Sequence, residues 1–256
     1  MKKKLFPVAI MVVLMSATGC NLKKKKVSQL WLYTHSSGKN ILKDTLLTPA
    51  SFLNLYPNGT YTRDFGDFES GQWKMDEGKI QLIPAKNRII VFPYRLNTAN
   101  EIELLYSGNN RADHFKKVPD SYINYDENDP FSVKNNLWRI HAAHKESDEE
   151  IRKRLINHCH FWEAYFAWAM QYELEYIDVR ATPTPIKIYG NGFALKPFDY
   201  LPERWRSFFY DDDDCKKANH MIKVIFNTGG ITWSHTDNQY KMFISAFQQM
   251  QQQLKK

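Results

Sequence analysis

The sequence predicts an α+β protein of two domains: an N-terminal antiparallel β-barrel or meander, then a mostly helical half with a short β-hairpin. Three observations predict it. From Leu30 to about Lys117 apolar and polar residues alternate with period two, turn signals interrupt that alternation at short intervals, and from Ser147 onward the apolar residues recur at helical spacing. Alternation fills one face of a sheet, whereas helical spacing lines one side of a cylinder. The change of period sets the expected organisation: a signal segment over 1–19, a basic tether over 20–27, a β domain over 28–118, a linker over 119–136 and a helical domain over 137–256.

The chain opens MKKKLFPVAIMVVLMSATG, three lysines, an apolar run from Leu5 to Met15 and then small residues. That order is a secretory signal. A membrane span needs roughly 20 apolar residues, about twice this run, so the segment directs export and does not stay as an anchor. Its end, Ala17-Thr18-Gly19-Cys20, resembles the lipobox of bacterial lipoproteins, with Ala17 where family members most often carry Leu. The resemblance implies cleavage before Cys20, whose thiol then carries diacylglycerol and holds the protein on a membrane. Lys23 to Lys26 follow at once. Two roles fit them: contact with anionic headgroups, or a solvated tether kept extended by its own charge. Family members that reach the cell exterior carry acids in that place, so lysines there point to a cell-envelope protein in the outer membrane, facing the periplasm.

Without residues 1–19 the chain keeps 32 basic and 28 acidic residues, and the resulting +4 equals the tether lysines. The folded part is therefore close to neutral, and nucleic acid is not an expected partner. Aromatic residues make up 14% of the chain, enough to build substantial cores.

The strands read in order. Trp73 and Met75 alternate with Gln72 and Lys74, Ile80 and Leu82 with Lys79 and Gln81, and Ile102, Leu104 and Tyr106 with Glu101 and Glu103. Pro57-Asn58-Gly59, Asp76-Glu77-Gly78, Asn97-Thr98-Ala99-Asn100 and Ser107-Gly108-Asn109-Asn110 supply the turns. Many hairpin-linked strands close on themselves to remove their edges. Leu30-Trp31, the run Phe52 to Tyr61, Gly71-Gln72-Trp73-Lys74 and Lys79 to Leu82 resemble, in that order, the lipocalin-like domains of small bacterial lipoproteins. The resemblance covers about residues 28–118 and implies a barrel that either fills itself or holds one small apolar ligand or lipid. Tyr61, Phe65, Trp73 and Tyr106 are the candidate ligand-lining residues, with ordinary core packing as the alternative.

Val118 to Asn136 is rich in Asp, Asn, Pro and Ser and reads as a linker. Ser147 and Glu150 form a capping-box pattern that opens a long helix, along which Ile151, Leu155, Cys159, Trp162, Phe166 and Met170 keep helical spacing. Ile156, Phe161, Tyr165 and Tyr172 fill its other faces, so the helix is expected to be buried on most sides. Thr182-Pro-Thr-Pro185 ends it. Ile186 to Lys196 reads as a hairpin about Gly190-Asn191-Gly192, the Ala218 to Phe226 stretch as a helix stopped by Gly229-Gly230, and Tyr240 to Leu254 as the last helix.

Asp211 to Asp214 lack the alternate spacing, central Gly and terminal Glu of a calcium loop, and read as the cap and first turn of a helix beginning near Cys215. His158 and His160, two apart on a helix, diverge and cannot share one metal ion; His141 and His144 lie in an irregular lead-in. A Cys159–Cys215 bridge is arithmetically possible, but nothing in the sequence brings the two together. No Gly-x-Ser-x-Gly, Walker loop, His-Glu-x-x-His or paired-cysteine spacing occurs. Glu163, Glu173 and Glu175 suit an acid/base pair or, more simply, a solvated helix stripe. The expectation is a non-catalytic envelope lipoprotein with no metal or cofactor, docking a protein partner through its barrel and helical domains. Binding of an apolar ligand in the barrel is the alternative, and a hydrolase in the helical half the third reading.

Overall fold

The computed structural model describes residues 23–38, 51–76, 78–85, 88–106, 110–118, 131–171, 184–189, 192–232 and 238–256. Cys20, Tyr172, Glu173, Glu175 and the whole of the 1–19 segment lie outside the described residues, as does most of the expected linker. Two compact units are present. Of the described residues, 23–38, 52–61 and those from 69 to 117 form the first, and 51, 62–68 and those from 118 onward form the second.

Eight antiparallel strands close into a barrel that is lipocalin-like in shape: β1 (Leu30–Ser37), β2 (Phe52–Leu55), β3 (Thr60–Asp64), β4 (Phe68–Asp76), β5 (Lys79–Pro84), β6 (Ile90–Thr98), β7 (Glu101–Tyr106) and β8 (Arg111–Lys117). Sequential neighbours pair, and β1 pairs β8 to close the ring. Register fixes the inner face, because antiparallel partners present their side chains to the same side. Trp73 pairs Leu82, Ile80 pairs Phe92, Ile102 pairs Phe115 and Trp31 pairs Leu53, and all eight are buried. The intervening Lys79, Val91 and Arg95 are exposed. β1 and β2 depart from this alternation, since Leu30, Leu32 and Phe52 on their outer side are as buried as Trp31 and Leu53. Gly59 and Gly78 adopt positive φ in the turns, at +88° and +78°, and Asn58 accepts from the Thr60 N–H to tighten the first.

The lysine run differs from an extended tether. Residues 23–27 form a helical turn, Val27 is buried, and the Lys24 ammonium lies 5.5 Å above the Trp73 ring. The Trp31 indole N–H donates to the Val27 carbonyl at 2.9 Å, which locks the turn to β1. Tertiary bonding at its end outweighs the mutual repulsion of four lysines.

In the second unit a 3₁₀ helix (Lys134–Arg139) begins inside the stretch read as linker and leads to α1 (Asp148–Gln171). Then come a hairpin of β9 (Ile186–Tyr189) and β10 (Gly192–Leu195), a short α2 (Glu203–Arg206), α3 (Asp212–Asn227) and α4 (Gln239–Leu254). The capping box forms as its pattern implies: Glu150 Oε2 accepts from the Ser147 N–H at 2.8 Å and Ser147 Oγ accepts from the Glu150 N–H at 3.3 Å. α1 packs on α4, burying Trp162 and Phe166 against Phe243 and Phe247, with ring centroids 5.0 Å apart for Phe166 and Phe243. α3 begins three residues before the expected start, because Asp211 itself is the cap and accepts from the Asp214 N–H at 2.9 Å.

Candidate functional site

Charged residues face the barrel interior at the end where β1 finishes and β8 begins. There Arg111 and Asp113, on the first turn of β8's alternation, point inward in phase with Phe115, opposite Tyr106 and Leu104. Arg111 grips Asp113 with two parallel bonds of 2.9 Å, from Nε to Oδ1 and from an Nη to Oδ2. Arg111 is 8% exposed and Asp113 fully buried, so the pair has left water and depends on its own geometry. Ser36 on β1 donates to Asp113 Oδ1 at 2.6 Å, and since its only hydrogen goes there, the Tyr33 hydroxyl must donate to Ser36, at 2.8 Å.

The guanidinium lies 4.7 Å from the centroid of the Tyr106 ring, whose edge contact with Phe92 sits at 5.6 Å. Burial pushes the Tyr33 phenol up despite its bond to Ser36. Burial would lower the Arg111 guanidinium, but the hydrogen bonds and charge of Asp113 hold it above its ordinary value. Tyr33, Ser36 and Tyr106 are half-buried, so solvent reaches the rim of this network. The arrangement fixes charge and hydrogen-bonding groups at the mouth of an aromatic interior, which suits recognition of a polar group attached to an apolar one.

Of the four residues expected to line a ligand site, Tyr61, Trp73 and Tyr106 face the barrel interior. Tyr61 is buried and donates to Glu69 Oε1 at 2.5 Å, while the Trp73 indole N–H donates to the Tyr56 carbonyl at 2.8 Å. Phe65 lies in the bend after β3, grouped with the second unit, with the Arg63 guanidinium 5.1 Å from its ring. Arg111, Asp113, Ser36 and Tyr33 were missed because charged residues in a strand pattern read as the solvent face. Their phase with Phe115 was the available signal.

The second unit holds another buried charge cluster. Asp64 accepts from both Arg139 and Arg204, and from the Gly66 N–H at 3.1 Å. Arg139 is sandwiched between the rings of Trp138 and Phe161, 4.3 and 4.0 Å from their centroids, and its Nε donates to Asn136 at 3.1 Å. Burial alone would raise the Asp64 carboxyl; the two guanidiniums bring it below the ordinary range. Burial takes Arg139 down to about 10 even with Asp64 beside it. Close by, His158 is enclosed by Trp138, Trp162 and Trp205; its Nε2 accepts from the Trp162 indole at 3.0 Å, and burial takes it down to about 3.

His141 and His144 bond elsewhere. His141 bonds the Ser207 carbonyl at 2.9 Å and His144 meets Glu150 at 3.2 Å; among the described residues no group of three or more His, Cys, Asp or Glu is placed to hold a metal ion. Cys159 and Cys215 are free thiols, both buried, and burial pushes Cys215 up to about 12. Asp214 is drawn inward to accept from the Glu146 N–H at 2.8 Å, and Glu163 accepts from Gln248 at 2.8 Å. Among the described residues no helix is long and apolar enough to cross a membrane. No family model matches the chain, and comparison with curated proteins and with solved structures returns no match.

Proposed function

We propose that this chain is a lipid-anchored, non-catalytic cell-envelope protein that docks a protein partner. One observation carries the reading. Leu137 on the 3₁₀ helix and Ile140, the extended residue that caps its C-terminal end, are 51% and 43% exposed. Their backbone is held rigidly: Arg154 donates from one Nη to the carbonyls of Leu137, Trp138 and Ile140, at 3.2, 2.8 and 3.0 Å. Glu146 anchors the same guanidinium from its other side, with bonds of 2.8 to 3.1 Å. Large apolar side chains presented on a fixed backbone lose little freedom when covered, which favours association. The anchor at Cys20 would confine the search for a partner to one leaflet.

The test is capture from detergent-solubilised membranes with Cys20 intact. A discrete protein recovered by the wild-type chain and lost with Leu137→Asp plus Ile140→Asp supports docking; equal recovery by both removes this face from the reading. The half-exposed Tyr33, Ser36 and Tyr106 around the Arg111–Asp113 pair favour a second reading, an amphiphile with its polar end at the barrel mouth. A lipid co-extracting with the purified chain, with no protein captured, selects that one.

A further inference from the structure

The strands that close the barrel carry two imidazoles on their outer side. His35 of β1 and His114 of β8 are register partners, and their rings stack at 4.3 Å between centroids with 4° between planes. Parallel stacked rings point their lone pairs side by side, so the pair is not built to chelate one ion. The register shifts between Tyr33 and His35, leaving Thr34 as a bulge, and the Thr34 hydroxyl donates to the His114 carbonyl at 3.0 Å. Since that hydrogen is spent, Thr34 accepts from His35 Nδ1–H at 3.1 Å, and His35 takes up its proton at Nε2.

His114 is similarly set. Its Nδ1 faces Glu103 at 3.5 Å, and its Nε2 shares a hydrogen bond of 2.7 Å with the Ser37 hydroxyl. The charged groups around the stack are Glu101, Glu103 and Lys116, with Arg95 opposite Glu103 and Asn97 donating to it; Tyr33, Arg111 and Asp113 occupy the inner face behind. Glu103 can balance one imidazolium. A second proton would set two cations face to face, and His35 is flanked on both sides in sequence by residues that secure the seam, Thr34 at the bulge and Ser36 on Asp113.

We propose that the His35–His114 stack is an acid-sensitive latch on the seam between β1 and β8. Neutral or singly protonated, it holds the bulge in register; doubly protonated, its rings part, Ser37 and Thr34 lose their partners, and Ser36 is pulled from Asp113 at the barrel mouth. Burial, then the neighbouring His114 and Lys116, hold His35 below its ordinary value, against the pull of Glu101 and Glu103, so the latch is closed at neutral pH. This stands apart from partner docking through Leu137 and Ile140.

Amide hydrogen exchange on the full chain, normalised for intrinsic rate, tests it. Peptides over 30–38 and 111–117 should lose protection about tenfold per pH unit once the second proton binds, while peptides over 72–84 hold theirs. His35→Gln and His114→Gln should each abolish that slope. Seam peptides that follow the rest of the barrel at every pH, or a slope that survives both substitutions, overturn the latch. Imidazole proton shifts of the wild-type chain give an independent reading: coupled titration with His35 displaced to acid is expected, and two independent ordinary titrations overturn it.

Discussion

Asp64 shows what one residue decides. It is a single buried carboxylate facing two guanidiniums, one of them sealed between Trp138 and Phe161. Removing the charge leaves Arg139 buried without its counter-ion, which is far costlier than losing an exposed pair. Asp64→Asn is expected to lower stability by about 3–5 kcal/mol in denaturant unfolding. The same residues set the acid response. His158 is held neutral in the folded state, well below its value in the unfolded chain, so its contribution is complete above the unfolded value near 6.5 and is lost as pH falls toward about 3. Asp64, also depressed, adds its loss only as pH drops below the ordinary carboxylate range. His158→Phe, which removes the titrating group and keeps an aromatic ring against Trp138 and Trp205, should flatten the stability–pH curve between 6 and 4, measured by urea unfolding at each pH. An unchanged curve would assign the acid response elsewhere.

At the scale of elements, the close approach of β4 and β5 sets a sharp requirement. Gly71 pairs Pro84, and a Cβ at Gly71 would come 2.3 Å from the Ile83 carbonyl oxygen. Backbone cannot yield as a side chain does, so Gly71→Ala should cost about 1–3 kcal/mol and loosen the hairpin. Gly78→Ala is the control: nothing lies within 4 Å of its Cβ, and only the positive φ is penalised, about 1 kcal/mol. Equal losses would mean that crowding at Gly71 is relieved by strand movement. The strands and long helices were legible because their apolar periods are clean, as at Ile80, Leu82, Ile151 and Leu155. β2 was legible only through the family resemblance of the Phe52 to Tyr61 run, since all four of Phe52, Leu53, Asn54 and Leu55 are buried and the period-two signal vanishes when both faces are covered. The 3₁₀ helix was hidden: a short helix with mixed residues has no period to read. Arg111 and Asp113 were obscured for the opposite reason, a clean alternation whose polar members face inward.

For the whole molecule, the proposed membrane anchor can be separated from simple charge attraction. Two sources of attachment are written near its N-terminus, the thiol of Cys20 and the lysines that follow. Lys23, Lys25 and Lys26 are exposed while Lys24 is half-buried over Trp73, so the helical turn leaves three ammonium groups for a surface, each worth about 1 kcal/mol near anionic lipid. Such attraction is screened by salt, whereas acyl chains contribute about 0.8 kcal/mol per buried CH₂ and ignore it. Fractionation separates the two. The wild-type chain should stay with membranes through a high-salt wash and leave only with detergent, and Cys20→Ala should appear in the soluble fraction. Replacing Lys23, Lys25 and Lys26 by Gln should change the salt response of the Cys20→Ala chain alone. If high salt releases the wild-type chain, or mass spectrometry finds no fatty acid on Cys20, the lipid anchor is ruled out, and with it the proposal that this protein shares a leaflet with a partner.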